Sequence, residues 1–538
     1  LGTQVLAVGD GLNGGGLYRL SGINATGKAT EVTPLVMFKG LIGEHGPHAV
    51  PLGPEGLVYV LCGNFARADA TPKASSPYGA AYEGDLVQPR YEDPQGYGAG
   101  VHAPGGTIIR TDTDGSFVEV VAGGLRNPYD FAFNGDGEMF TYDADMEWDI
   151  GTPWYRPTRV NHAPPGAELG WRSGWAKWPE YYLDSLPATL DVGPGSPTGV
   201  EYYDHVAFPK RFQNCLFVGD WALGHIHAIH LERAGGSYTA RMTTILKGRP
   251  LNVTDLAVGP DGALYFSTGG RGTDGGIYRI RWTGTVPPES LELGQGIQRA
   301  LRQPQFQSDW SRREIALVQR QLGDRWKAEL QRVLTDQRAR QSDRLRALDL
   351  MTFFGPAPTV HSLVELSRDR NPAMRAKVAR LMGTQDDDAF ARPLAALLRD
   401  PDPMVRRVAC EAIEHRGSDT PVNDLVRLLG DSDRYVAYAA RKTLERVPAE
   451  EWRNQVLDAQ KPRVFLQGSA GLLAAAPTPA TVQHILARCE AMLADPSQRG
   501  ELAPGAAAEA EYRDLLRVTQ LALVRGEVPA NEVPELSR

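Results

Sequence analysis

The chain has 538 residues, 42% of them apolar and 23% charged, and a formal net charge of −8. That length exceeds what one core supports, so two or more domains are expected. The acidic balance disfavours nucleic acid and anionic membrane surfaces as main partners. The longest small-apolar run, at 471–476, is too short to cross a bilayer.

The first residue is Leu and no signal-peptide pattern follows it, so a trimmed, cleaved or incomplete N-terminus is expected. Cys62, Cys215, Cys410 and Cys489 form no Cys-x-x-Cys pair, so zinc-ribbon and c-type haem motifs are absent. Their mostly apolar contexts indicate buried thiols, with a Cys62–Cys215 disulfide as the alternative.

In chain order, the first 282 residues are rich in Gly, Pro, Asn, Asp and aromatics. Turns of the types Gly-Pro-Glu-Gly, Asn-Gly-Asp-Gly and Gly-Pro-Asp-Gly each run into a short apolar strand. Those strands are Leu57-Val58-Tyr59-Val60, Glu138-Met139-Phe140-Thr141 and Ala263-Leu264-Tyr265-Phe266. Recurrent turn-then-strand units predict a radial β architecture, which gathers loops from distant positions onto one face. Gly15-Gly16-Leu17-Tyr18-Arg19-Leu20 echoes the closing strand Gly276-Ile277-Tyr278-Arg279-Ile280-Arg281-Trp282. Long insertions at about 65–105 and 143–199 interrupt the spacing, and only about four turn-strand units are clear. The expectation is a six-bladed β-propeller at 1–282, with blades either degenerate in sequence or missing at the N-terminus.

A linker at 283–295 leads into a region, 296–538, where Leu, Ala and Arg take helical spacing. Pro372, Pro403 and Arg434 lie 31 residues apart, and Arg344, Arg375 and Arg406 keep the same period. The clearest unit, Asp400-Pro401-Asp402-Pro403-Met404-Val405-Arg406, is an acidic turn, a proline at helix entry and an amphipathic helix. This region resembles HEAT-type repeats. An α-solenoid is expected, its Asp and Arg forming stacking ladders and its surface serving protein docking rather than chemistry.

Several motifs of the first region belong together: Glu44-His45-Gly46, Gly124-Leu125-Arg126-Asn127-Pro128-Tyr129-Asp130, Arg159-Val160-Asn161, and Pro165-Gly166-Ala167-Glu168-Leu169-Gly170-Trp171. Asn214-Cys215-Leu216-Phe217-Val218-Gly219-Asp220 and Asp255-Leu256-Ala257-Val258-Gly259-Pro260-Asp261-Gly262 complete the set. In this order they resemble the soluble quinoprotein glucose and sorbosone dehydrogenases. A propeller followed by HEAT-like repeats is similar to large dehydrogenase-like proteins of planctomycetes, which often end in a haem-binding module.

The resemblance implies oxidation of a sugar or polyol by pyrroloquinoline quinone (PQQ). His45 falls at the base position, with His48 as competitor or substrate contact. Arg126 and Asn127 fall at the cofactor-contacting pair. The resemblance also implies Ca²⁺. Asp143, Asp145, Glu147 and Asp149 alternate as an oxygen-rich set suited to that ion, or as a solvated acidic edge. Three positions depart from the family: Ala222, Asn252 and Thr254 stand where a lysine and two arginines are expected. Lys247, Arg249 and Arg271 are nearby substitutes, of which Arg271 is taken as cofactor-binding.

Trp171, Trp175, Trp178, Tyr181 and Tyr182 form the densest aromatic group. They either overhang the propeller mouth, with Trp171 and Trp175 against sugar, or pack the insertion onto the blades. His225, His227 and His230 share one strand, two facing one way, and no acidic third ligand is evident.

Two readings follow. One is an exported, periplasmic or secreted oxidoreductase that passes electrons to a cytochrome or other acceptor. The other is a non-catalytic propeller-solenoid that binds glycans or partner proteins.

Overall fold

In the computed structural model, residues 5–11, 13–79, 81–84, 98–144, 157–173, 176–495 and 506–527 are described. The three sequence turns close alike: the amides of Gly56, Gly137 and Gly262 donate to the carbonyls of Gly53, Asn134 and Gly259, each at 2.9 Å. Gly137 and Gly262 hold φ of 79° and 71°, where a side chain is strained, so glycine is what lets the chain turn into the next strand.

Five sheets of three or four strands follow, with one two-stranded ribbon. Phe131–Phe133, Met139–Asp143, Thr158–His162 and Leu190–Gly193 form one sheet; Pro197–Tyr203, Cys215–Asp220, His225–Ala234 and Ser237–Lys247 form the next. Val253–Val258, Leu264–Gly270 and Thr273–Ile280 make a third. Each is an antiparallel meander with strands in chain order, the topology of a propeller blade. The Pro197–Tyr203 strand touches both Phe131–Phe133 and Val253–Val258, so the first strands of successive sheets lie side by side. All four cysteines are buried and free.

The helical half begins at Pro288–Leu291 and carries the 31-residue repeat as a ladder of ion pairs. Arg344 reaches Asp369 at 2.5 Å, Arg375 reaches Asp400 at 2.7 Å and Arg406 reaches Asp431 at 2.9 Å. Each acceptor also takes the amide of the residue two ahead: Asn371, Asp402 and Asp433. Those three residues in turn cap the helices Pro372–Gly383, Pro403–Arg416 and Arg434–Leu444 with their side chains. The Arg-Asp pattern is therefore structural, as expected. Asp400→Ala removes a forked Arg contact and a turn acceptor together, and is expected to lower stability by about 1.5–3 kcal/mol in urea unfolding. An unchanged midpoint would contradict the ladder.

The two halves pack against each other. One apolar core runs from Phe140, Tyr142 and Val160 of the sheets into Met374, Val405 and Val436 of the repeats. Buried Glu138 accepts from Arg380, from Arg407 at 2.7 Å and from His162 Nε2 at 2.8 Å. At the far end of the solenoid, Arg517 forks onto Asp184 at 2.9 and 2.7 Å and stacks over Tyr182. Tyr438 O–H donates to Gly166 O at 2.9 Å and accepts the Glu168 amide at 2.8 Å. One face of the expected docking surface is thus occupied by the chain's own sheets.

Candidate functional site

His45 sits on a tight turn with φ of 51°, a left-handed conformation uncommon outside glycine. The next residue must be glycine: a Cβ on Gly46 would lie 1.9 Å from the Ile42 carbonyl oxygen. The His45 ring stacks on Phe65 at 4.7 Å, and its Nδ1 meets Asn64 Oδ1 at 2.5 Å. With Nδ1–H donating to that oxygen, Nε2 is the basic nitrogen. Burial, then the nearby Arg126 charge, pull the His45 pKa down to about 3, and His48 and Arg271 act in the same direction. His45 is therefore a neutral imidazole at working pH.

The sign of this shift has a consequence for stability. Between pH 6.5 and 3 the unfolded chain binds a proton at His45 that the folded chain does not. The His45 contribution is intact above the unfolded pKa and is lost as pH falls toward the folded one. His45→Asn is expected to flatten the acid side of the stability–pH curve; superimposable curves would contradict the burial of a neutral ring.

Arg126 and Asn127 are held from below by Asp143. Its carboxylate accepts the Arg126 amide at 3.1 Å, the Asn127 amide at 3.0 Å and the Ala144 amide at 2.9 Å. Arg159 approaches it at 3.8 Å. Asp143 is fully buried, and its oxygens serve the loop that presents Arg126. Against the expectation that Asp143 is a calcium ligand, its oxygens are taken by three amides and it anchors the loop that carries Arg126 and Asn127. Asp145, Glu147 and Asp149 lie outside the described residues, as does Trp175.

Asn127 Oδ1 faces His48 Nε2 at 3.2 Å, and the His48 ring lies 4.7 Å from that of Tyr129. Arg271 also has positive φ, 49°, and is exposed, with Glu44 at 3.9 Å and its guanidinium 5.7 Å from the Trp221 ring. Trp221 in turn donates to Gly269 O at 2.6 Å. His45, His48, Arg126, Asn127 and Arg271 are thereby gathered at one end of the sheets, although more than 200 residues separate the first from the last. The three neutral departures are engaged locally. Asn252 Nδ2 donates to Trp221 O at 3.0 Å, Thr254 bonds Ser267 at 2.7 Å, and the Ala222 amide donates to Asp220.

Below His48 and Tyr129, a cleft of about 730 Å³ follows the first strands of the sheets to the opposite turns, where Phe306, Arg346 and Phe353 of the helical half line it. Asp130, Glu201 and Asp255 lie along it, all with pKa raised by burial; Asp130 is pushed up to about 8, with Asp255 repelling it. Sequence reading missed this cleft, though Asp130 and Asp255 both stand inside quoted motifs. Raised carboxylates lining a concave space are a recurrent mark of functional sites.

Two described members of the aromatic group, Trp171 and Trp178, are buried and do not overhang the mouth. Trp171 is 1% exposed, and a Cβ on Gly105 would lie 2.4 Å from its ring. It has no face to offer a sugar, which corrects its assignment to substrate. Trp178 is buried between the guanidinium of Arg172, 4.0 Å from its ring, and that of Arg517, at 4.8 Å. Trp178, Tyr182 and Asp184 of the insertion thus pack against Arg517 of the last solenoid helix, whereas the alternative read from the sequence has the insertion packing onto the blades.

Residues 360–445 and 391–459 match the family model described as HEAT repeats. Comparison with curated proteins finds no match. Among solved structures, the chain is similar to an oxidoreductase of Thermus thermophilus described as a glucose dehydrogenase. Identity is 21% over 52% of this chain and 78% of that one, with a TM-score of 0.36. The PQQ-bound aldose sugar dehydrogenase of Streptomyces coelicolor is 16% identical over 52% of this chain and 75% of its own, with a TM-score of 0.34. The PQQ domain of a Coprinopsis cinerea pyranose dehydrogenase is 11% identical over 49% and 90%, with a TM-score of 0.24.

Proposed function

We propose that this chain is an oxidoreductase that oxidises a sugar or other polyol, with a carboxylated quinone of the PQQ type as cofactor. The observation that carries this reading is the convergence of a buried neutral His45 with Arg126, Asn127 and Arg271 at one mouth. Two guanidinium groups and an amide suit carboxylates and a carbonyl, so the residues fit such a cofactor with fewer cations than the resemblance implies. When bound, the quinone supplies a two-electron acceptor for the carbinol hydride.

The protein's own part is positioning and proton transfer. His45 Nε2 accepts the substrate hydroxyl proton, and Asn64 holds the ring in the tautomer that leaves that nitrogen unprotonated. His48 and Asn127 hydrogen-bond a neighbouring hydroxyl. Arg126 and Arg271 stabilise negative charge in a site partly withdrawn from water. Asp143 fixes the loop from which two of these residues project. Electrons then leave to a separate acceptor of the cytochrome class that docks on solenoid surface not covered by the sheets. The same reading puts the protein in the periplasm or outside the cell.

The test is aldose- or polyol-dependent dye reduction by purified protein supplied with PQQ and Ca²⁺. Saturable turnover supports the reading. Quinone binding with no turnover on any of a panel of aldoses and polyols would overturn it.

A second reading, a propeller that binds glycans or partner proteins without catalysis, is favoured by one observation. Asn252 and Thr254 are neutral and spend their polar atoms on neighbours. It requires glycan or protein binding that survives His45→Ala.

A further inference from the structure

Strand register sets three side chains of one hairpin, Asp220, His225 and His227, on one face. In the antiparallel pair Cys215–Asp220 and His225–Ala234, Asp220 lies directly opposite His225. Side chains two apart on a strand share a face, so His227 joins them on that side. Each of the three offers one ligand atom, and these atoms all lie within 4.8 Å of one another, the only such group among the described residues.

We infer that Asp220, His225 and His227 form a binding site for one divalent transition cation of the zinc class. Two imidazoles and one carboxylate suit Zn²⁺, Co²⁺ or Ni²⁺ rather than Ca²⁺ or Mg²⁺, and leave at least one position for water. Small rotations of the side chains bring them to the ~2.0–2.2 Å bonds such ions take.

The surroundings fit ligand roles. Asp220 Oδ1 accepts the amides of Ser196, Ala222 and Leu223 at 3.0, 2.9 and 3.1 Å, so the carboxylate is fixed in place and its second oxygen serves the cation. That oxygen lies beneath Gly195, where a Cβ would come within 2.4 Å of it. His227 Nδ1 meets Thr244 Oγ1 at 3.0 Å, the outer hydrogen bond that orients a metal-binding imidazole and directs its Nε2 to the ion. The His225 and His227 rings are 5.2 Å apart and nearly perpendicular, which suits convergence on a point and not stacking. Lys247 is the charged residue paired with His225 on the next strand; it is exposed and long enough to turn away.

The position gives the cation a consequence. The turn it would pin carries Trp221, whose indole holds Gly269 and lies under Arg271. Metal binding would stiffen one wall of the mouth. The inference stands on donor geometry alone and holds whether or not the mouth is an active site.

The test is titration of tag-free, chelator-treated protein with Co²⁺. One equivalent is expected to bind, with d–d absorption of a four- or five-coordinate nitrogen–oxygen site and no thiolate charge-transfer band, and Zn²⁺ should displace it. His225→Ala, which removes a half-exposed ring, is expected to abolish stoichiometric binding while circular dichroism and the melting curve without metal stay native. Thr244→Val should weaken affinity by about tenfold or more through His227. Binding that is absent in the native chain, unchanged in His225→Ala, or accompanied by a thiolate band would overturn the site.

Discussion

Glu138→Ala is expected to be among the most destabilising single substitutions in the chain. The carboxylate is 3% exposed and accepts from Arg380, Arg407 and His162 across the boundary between sheets and helices. Its removal leaves the buried Arg407 and half-buried Arg380 guanidinium groups facing each other, with Glu411, which bonds Arg407, and the more weakly acting Glu55 to offset them. Breaking one partner of a buried ionic cluster costs about 3–5 kcal/mol, because the charge that remains is neither solvated nor paired. Urea unfolding should show a lowered midpoint or a split transition as the halves uncouple. The replacement of Glu138, Arg380 and Arg407 together by apolar residues should cost less than Glu138→Ala alone, since no orphan charge is left. An unchanged single transition in Glu138→Ala would show that the Glu138 cluster does not hold the halves together.

His45→Ala carries the largest expected effect on chemistry. Removal of a positioned general base lowers turnover by about 10²–10⁴-fold. Since His45 acts on the substrate proton, cofactor affinity should hold while kcat collapses. The pH profile of the native protein should lack an acid limb near 6.5, because burial and the Arg126 charge hold the ring neutral far below that. Asn64→Ala frees the ring to rotate and is expected to lower kcat less than His45→Ala does. Turnover that survives His45→Ala would move the base role to His48, three residues away and facing Asn127.

How much of this was legible in the chain follows from how local each signal is. The turns at Gly56, Gly137 and Gly262 were readable because four residues fix a β-turn. The solenoid ladder was readable because a 31-residue period repeats the same Arg, cap and proline positions. Arg344, Arg375 and Arg406 appear in the sequence with their partners a fixed 25 residues later. The contact between halves was not readable: Glu138 looked like the start of a strand, and nothing in the repeat period points to Arg407. Their pairing exists only once both folds are built.

The site divides in the same way. His45, Arg126 and Asn127 were singled out by the positions that the resemblance implies, and the fold brings them to one end of the sheets. Asp143 was misread because alternating acids resemble an ion-binding edge. The amides it accepts lie 16 and 17 residues upstream, which only the closed loop reveals. Trp171 was misread because an aromatic in an insertion says nothing about which way it faces. Asp220 escaped notice as a partner of His225 because strand register, not spacing, sets them opposite each other.

Equilibrium titration of the folded chain with PQQ in the presence of Ca²⁺ bears most directly on the mouth as a cofactor site. Saturable binding is expected, weakened by about tenfold or more in Arg271→Ala, whose exposed side chain can be lost without unfolding the protein, and more severely in Arg126→Met. Absence of binding to the folded protein, or binding indifferent to both substitutions, would contradict the assignment of Arg126 and Arg271 to the cofactor.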